Sequence, residues 1–452
     1  MASLSEHPTV KRFYQRSKAE LNRQSEESTA ELDANWLRQL CFDAGADDVG
    51  FVEVDRPELA AERDDIVRFF PHTKSLISFV LRMNREPIRS PARSVANVEF
   101  HQTGDHVNQT AHRIVSALAD RGVRAVNPAM GFPMEMDRVG NGKLWCVSHK
   151  PVAVAAGLGH MGIHRNVIHP RFGNFVLLGT VLIEAEVSAY QRPVDYNPCL
   201  ECKLCVSACP VGAIGSDGTF DFSACFTHNY REFFGGFTDW VEQIANSKDA
   251  NDYHRRVSPP ETASMWQSLS YGANYKSAYC MAVCPAGEDV IAPFLTDRAE
   301  YLKDVVRPLQ QKEEIVYVIP GSDAEDHVRR RFPTKQTRRV GNGLNRLRSI
   351  SAFLNGLRFT FQRNRSKGID ARYHFTFTGD EERLATIVIH NQNLEVMEGH
   401  VGHADLRVTA DSSTWLGFLS KDKNLLWSLV RRRIRIKGSP RLLLAFGKCF
   451  PS

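Results

Sequence analysis

Nowhere in the 452 residues does an apolar run approach the roughly 18–20 residues that a membrane-crossing helix requires. The stretch from Met1 to Asn35 lacks the apolar core of a secretory signal, and no paired-arginine leader stands there, so we expect a cytoplasmic protein. No nucleic-acid reading motif accompanies the net charge of +5, which makes nucleic acid an unexpected partner. At 42% hydrophobic and 24% charged, the composition excludes both a disordered chain and a fibrous one. Its length instead suits two or three domains, each with a core of its own.

The charge is unevenly placed. Residues 1–310 carry 32 Lys and Arg against 38 Asp and Glu, whereas residues 311–452 carry 25 against 14. That asymmetry separates a mildly acidic body from a basic C-terminal part, which would suit anionic lipid, an acidic partner, or simply a solvated surface.

The ten cysteines are concentrated. Cys199, Cys202, Cys205 and Cys209-Pro210 have the spacing of a ferredoxin-type motif, in which three thiolates hold one [4Fe-4S] cluster and the fourth reaches a second. Partners follow downstream in Cys225, Cys280 and Cys284-Pro285. By that logic Cys199, Cys202, Cys205 and Cys284 serve one cluster, while Cys209, Cys225 and Cys280 serve another. A complete second motif would place a cysteine three residues before Cys280, where Ser277 stands. Ligation by Ser277, by Tyr279 or by His228, or a [3Fe-4S] cluster, would each account for the missing thiolate. Zinc or disulfides would leave the Cys-Pro endings and the surplus thiols unexplained. Cys41, Cys146 and Cys449 remain, expected as small buried apolar residues.

Hydrophobic periodicity supplies the framework. Helical spacing over Trp36 to Ala46 precedes a strand at Val49–Val54; a helix near Ile66–Phe70 precedes a strand at Ser75–Leu81; an amphipathic helix covers His106–Arg121. Alternation of this kind indicates a layered domain mixing helices with a sheet. Gly157, Gly159 and Gly162 spell GxGxxG, but no strand leads into them and an apolar strand, Phe175 to Ile183, soon follows, so a nicotinamide fold is not expected. Glycines there would instead let backbone lie against some other flat or bulky ligand. Aromatic residues of 220–272 (Phe233, Phe234, Phe237, Trp240 and Trp266) are candidates to shield the clusters or to pack a core.

From Gly157 to Gly179, with the turn His169-Pro-Arg171-Phe-Gly173 and the double cysteine motif, the chain resembles the epoxyqueuosine reductases and reductive dehalogenases over residues 36–300. The resemblance implies a nitroreductase-like domain that binds cobalamin and a ferredoxin-like domain with two clusters that feeds it electrons. It would set Gly157, Gly159, Gly162, His169, Arg171 and Gly173 against the corrinoid. The family's acidic proton donor ahead of the corresponding proline is absent; Ser148, His149 and Lys150 precede Pro151. His149 or His160 would then be the proton donor, the alternative being that both are bonded turn or surface residues.

Residues 346–452 alternate as strands at Tyr373–Thr378, Ala385–Ile389, Leu394–Met397 and Ala404–Thr409, then helices near 414–419 and 425–430, then a basic strand at Arg433–Gly438 and another at Leu442–Phe446. This order, with Gly399-His-Val-Gly-His-Ala-Asp405, resembles the sterol-carrier-protein-2 domain and implies an apolar tunnel for a lipid-like ligand, with a filled core as the alternative. The expected organisation is a polar leader (1–35), a corrinoid-reductase-like domain (36–190), a double-cluster domain (191–310), a basic linker (311–345) and a lipid-binding α/β domain (346–452). The expected function is an iron–sulfur oxidoreductase, fed by a ferredoxin or flavodoxin, that passes single electrons to a site in the N-terminal domain. The rival is a non-catalytic electron carrier or sensor; a tRNA-modifying reductase is a third reading.

Overall fold

The computed structural model describes residues 4–15, 31–138, 144–276, 279–341, 347–420 and 422–451. The first core helix, α1 (Ala34–Ala44), starts where the Asp33 carboxylate accepts the Trp36 N–H and stops at Gly45, whose φ of 116° only glycine adopts readily. Leu37, Cys41 and Ala44 recur at helical spacing on its buried face.

Four antiparallel strands form the N-terminal sheet in the order β1 (Asp48–Glu53), β2 (Ser75–Arg82), β6 (Val176–Ile183) and β3 (Ala125–Val126). Between β2 and β3 runs α2 (Arg93–Asp120), far longer than the periodicity of 106–121 suggests. Its first half carries Asn97, Thr103 and Gly104 where apolar residues would have marked a buried face. After β3 come α3 (His149–Ala155) and the small ribbon β4 (His160–Met161) with β5 (Val167–Ile168). Phe51, Ile77 and Phe79 face α1 and α2, while Val52, Leu76 and Leu182 pack with Val152 and Ala155 of α3. Both faces of the sheet are therefore covered, which explains why β2 and β6 read as continuous apolar runs.

Five helices carry or separate the clustered cysteines: α4 (Leu204–Ala208), α5 (Phe222–Asn229), α6 (Gly235–Ala245), α7 (Ala250–Arg256) and α8 (Pro259–Tyr271), followed by the short α9 (Tyr279–Ala282). The excursion through α6 to α8 is anchored by Arg231, buried at 1% exposure, whose guanidinium meets Asp239 at 2.6 Å and Glu261 at 2.9 Å. Arg93 to Glu232 at 2.7 Å and His101 to the Ala273 carbonyl at 2.8 Å fasten it to α2.

Downstream, the chain forms the short pieces Ala292–Thr296, Arg298–Tyr301 and the π-type turn Leu302–Val306, the first break falling at Asp297, which leaves the helix and caps the next one. The stretch expected as a linker is a folded unit: β7 (Ile315–Val318), α10 (Asp323–Arg331) and β8 (Gln336–Arg339), with β7 and β8 parallel. Acidic residues in the first turn of α10 and Arg329 to Arg331 in its last oppose the helix dipole favourably; this charged pattern is what resembled a linker.

The C-terminal unit has α11 (Ile350–Thr360), then β9 (Ala371–Thr378), β10 (Arg383–His390), β11 (Asn393–Glu398), β12 (Leu406–Asp411), α12 (Ser412–Leu419), α13 (Leu425–Val430), β13 (Ile434–Gly438) and α14 (Pro440–Lys448). Its sheet order is β11-β10-β9-β12-β13, with β12 parallel to β9. Leu442–Phe446, expected as a strand, lies in α14: Pro440 in the first turn initiates a helix, and Phe446 is its buried residue. The centre, where a tunnel was expected, is packed with Phe353, Phe375, Phe377, Trp415 and Phe446, each at most 5% exposed, with ring centroids 5.4–6.4 Å apart in the contacts among them. Gln362 and Arg363 tie this unit to Asp221 and Asp217 of the cysteine-bearing part. Among the described residues no helix is long and apolar enough to cross a membrane.

Candidate iron–sulfur site

The loop from Cys199 to Cys205 closes on itself because Glu201 and Lys203 take left-handed backbone, φ 48° and 63°, which non-glycine residues rarely adopt unless the surroundings demand it. Cys205 lies in α4, Cys280 in α9, and the two short helices pack together. Cys284 follows one turn after α9, donating its N–H to the Met281 carbonyl. Cys225 sits within α5, which begins at the Asp221 cap.

The thiols fall into two groups. Cys199, Cys202, Cys205 and Cys284 lie within electrostatic reach of one another, as do Cys209, Cys225 and Cys280. Of the thiols acting on Cys205 the largest influence is that of Cys280, ahead of Cys202 and Cys199, so the groups are adjacent and Cys205 stands at their border. Cys199, Cys202, Cys205 and Cys284 of the first group line a small surface pocket together with Ile163, His164, Leu200, Glu201, Lys203 and Ala286. Among the described residues no disulfide joins any of the cysteines, and no three His, Cys, Asp or Glu side chains converge on one ion. Burial pushes Cys205 up to about 12 and Cys280 up to about 11, and raises Cys225 and Cys284 as well. Such thiols become thiolates when bound to iron. Backbone amides of residues 211–214 turn toward the Cys209 sulfur, with the Ala213 N–H at 3.3 Å, and oppose the same upward push there. Strained loop, pocket and amide cradle all fit cube-shaped clusters.

Around the second group stand residues that the sequence reading passed over. Asn166 donates to the Cys280 sulfur at 3.8 Å and accepts from the Lys150 ammonium at 3.0 Å. Lys150 feels Cys280 and Cys225 directly; burial lowers its pKa and the two thiolates oppose that. The Lys150 side chain is exposed, and Cys225 and Cys280 are half-buried. His164, held down to about 4 by burial, accepts the Asn166 N–H at 3.2 Å. The only advance signal for Lys150 and Asn166 was a polar residue on either side of an otherwise apolar glycine-rich stretch.

The three candidates for the missing ligand divide. Ser277 lies outside the described residues. Tyr279 is hydrogen-bonded to Glu314, so its hydroxyl is not free. His228 accepts the Tyr317 N–H at 3.3 Å through Nδ1, and the charges around it are Glu314 and three lysines, not the thiols.

The N-terminal candidates are engaged with the chain itself. His149 is buried, Nδ1 meeting the Thr180 hydroxyl at 2.8 Å and Nε2 the Ala129 carbonyl at 3.0 Å, which leaves neither nitrogen free to give a substrate its proton. His160 is half-buried, with Nδ1 3.2 Å from the Met161 carbonyl. A Cβ on Gly157 would stand 2.5 Å from the Arg192 carbonyl oxygen, on Gly159 2.4 Å from that of Ile168, and on Gly162 2.7 Å from the His164 ring. His169 bonds Asp48 at 3.0 Å and accepts the Arg171 and Phe172 amides; Arg171 meets Asp289 at 3.0 Å. Gly173, φ 65°, would place a Cβ 2.0 Å from the Ala286 carbonyl oxygen, two residues after Cys284. The close approaches that require glycine are made by the protein's own backbone, and the His169–Gly173 turn is the joint that seats the cluster loop on the N-terminal sheet. The contacts of these residues are with the chain itself and form no cradle for the cobalamin that the resemblance implies.

Of the cluster-shielding aromatics, Phe234 packs on Phe226 beside Cys225 and Phe233 on Tyr230, whereas Trp266 is 56% exposed. Of the other cysteines, Cys41 and Cys449 are fully buried and Cys146 is only half-buried.

Fold and site together define a mixed α+β chain with a ferredoxin-like iron–sulfur centre and a separate C-terminal α/β domain. The 4Fe-4S binding domain family matches residues 192–215, and the SCP-2 sterol transfer family matches residues 354–451. The chain is 28% identical over 170 residues to an epoxyqueuosine reductase of Gloeobacter violaceus, covering 38% of this chain and 50% of that protein. It is 32% identical over 178 residues to the epoxyqueuosine reductase of Aliivibrio fischeri, covering 35% and 41%. A solved epoxyqueuosine reductase from Streptococcus thermophilus aligns at 16% identity over 60% of this chain and 75% of that one, TM-score 0.31. The chain thus spans half or less of the length of these curated relatives; it is similar to epoxyqueuosine reductases over part of its length, and it carries matches to a 4Fe-4S binding domain and, at residues 354–451, to the SCP-2 sterol transfer family.

Proposed function

We propose that the chain is an iron–sulfur reductase with two clusters, the first held by Cys199, Cys202, Cys205 and Cys284 and the second by Cys209, Cys225 and Cys280. When bound, such clusters supply single-electron relay. The observation that carries this reading is the sorting of seven thiols into two adjacent groups, one at a surface pocket and one beside Lys150. The pocket at the first group suits entry of electrons from a ferredoxin or flavodoxin, and the place of Lys150 beside the second group suits their delivery toward the N-terminal, nitroreductase-like layers. The Lys150 ammonium, held by Asn166 and by the Arg165 carbonyl at 2.6 Å, favours the reduced, more negative state of the second group. Seven cluster thiolates suit the reducing cytoplasm.

The C-terminal domain we read as the binder of an apolar ligand bearing one oxygen. Trp415, 2% exposed, has an indole N–H without a partner in the middle of the aromatic core, and burying such a donor is unfavourable until an acceptor reaches it. Entry of a ligand would require the rings around Trp415 to part.

The rival, an electron carrier or sensor without catalysis, is favoured by the internal bonding of His149 and of the glycine-rich segment. Anaerobic purification with metal and chromophore analysis separates the two. A cobalt or flavin group beside iron, with substrate reduction by a viologen donor, supports the reductase; iron alone, with no acceptor reduced, supports the carrier.

A further inference from the structure

We infer that the C-terminal end of the chain, α13 through α14, is a docking surface for an anionic lipid bilayer. From Lys423 to Ser452 there are eight basic residues and no Asp or Glu. Arg431, Arg432, Arg433, Arg435 and Lys437 follow one another from the end of α13 into β13, the edge strand of the sheet, and Arg441 and Lys448 lie on α14. All of these, with Lys423, are exposed; Arg433 lies within electrostatic reach of the Asp411 carboxylate. Lys437 stands directly opposite Arg407 of β12, a like-charge pairing that destabilises a sheet unless something negative lies against it.

Large apolar side chains stand among these cations. On α13 the outward positions are Trp427, 63% exposed, Val430, 74% exposed, and Arg431, whose guanidinium lies 5.6 Å from the Trp427 ring centroid. On α14 Arg441, Leu444 and Lys448 recur at helical spacing on the exposed face, with Leu444 66% exposed, while Phe446 is buried in the core. Each helix thus shows an apolar side chain flanked by cations, the arrangement of a helix lying in a lipid headgroup region. Basic residues alone would suit any polyanion. The exposed Trp, Val and Leu favour lipid, because nucleic acid offers phosphate but no apolar layer in which Val430 and Leu444 would lose their water. The inference does not depend on the reductase reading.

The test uses the full chain, loaded with its clusters, and sedimentation with vesicles of phosphatidylcholine alone or with added phosphatidylglycerol. Binding to the mixed vesicles, weakened by salt and at least tenfold stronger than to the neutral ones, is the expected result. Arg431→Glu with Arg432→Glu should weaken it by roughly thirtyfold or more, since each surface cation contributes about fivefold. Trp427→Ser with Leu444→Ser should also weaken it at unchanged charge, and because all four positions are exposed, the circular dichroism spectrum and melting temperature should stay as in the parent. No binding to anionic vesicles, or equal binding to neutral ones, would overturn the inference. So would tighter binding to a DNA or RNA duplex that the serine pair leaves unchanged.

Discussion

Lys150 offers the sharpest test of how the site works. Its ammonium reaches the Cys280 sulfur through Asn166 by contacts of 3.0 and 3.8 Å. A charge roughly 7 Å from the cluster, at an effective dielectric constant of ~20, is worth about 2.4 kcal/mol. Water around the exposed Lys150 side chain reduces this by about half. For a one-electron couple, about 1.4 kcal/mol corresponds to ~60 mV. Lys150→Met should therefore lower the reduction potential of the second centre by about 50–100 mV, since the cation favours the added electron. The first centre, whose thiols do not sense Lys150, should move far less. A redox titration followed by electron paramagnetic resonance reads both centres in one sample. If both potentials stay fixed, or both move alike, Lys150 does not stand where the thiol grouping puts it and the reasoning fails.

Four further outcomes follow from the packing. Arg231→Met leaves Asp239 buried without its cation and Glu261 with Arg338 alone, and should destabilise the chain by about 3 kcal/mol in thermal or denaturant unfolding. Gly173→Ala drives a Cβ to 2.0 Å from the Ala286 carbonyl oxygen, so iron loading should fall although no ligand is touched; full loading would show that the joint yields. Asp221 is pushed up to about 6, mainly by burial and then by Asp323. Its folded pKa lies above the unfolded one, so stability is lost as pH rises from about 4 to 6. Asp221→Asn, which keeps the cap on Ala224, should raise stability at pH 7 by up to about 3 kcal/mol and flatten that slope. Trp415→Phe removes the orphaned N–H and should raise thermal stability in the absence of lipid while weakening uptake of an oxygen-bearing apolar probe.

What the sequence disclosed was whatever is written locally. Cysteine intervals encode loop geometry, and the apolar alternation of β9 to β12 encodes one buried face, so both are visible without a structure. Leu442–Phe446 shows where that signal ends, because five mostly apolar residues suit strand and helix alike and only Pro440 distinguishes them. The linker expectation failed for a related reason: polar surface on α10 conceals Val328 and Ala324, whose burial beneath it comes from tertiary packing. The glycine-rich segment was visible as a place of close approach, but which partner makes that approach, Arg192, Ile168 or Ala286, depends on chain segments far away in sequence. Lys150 and Asn166 were hidden likewise, since nothing local joins them to Cys280.

The central claim is that two groups of thiols hold two separate clusters. Iron and acid-labile sulfide, counted in anaerobically prepared parent protein and in the Cys284→Ala and Cys225→Ala variants, test it most directly. The account predicts about seven to eight irons per parent chain and loss of a different paramagnetic signal in each variant, the other signal surviving. About four irons in the parent, or the same single signal lost in both variants, would contradict it.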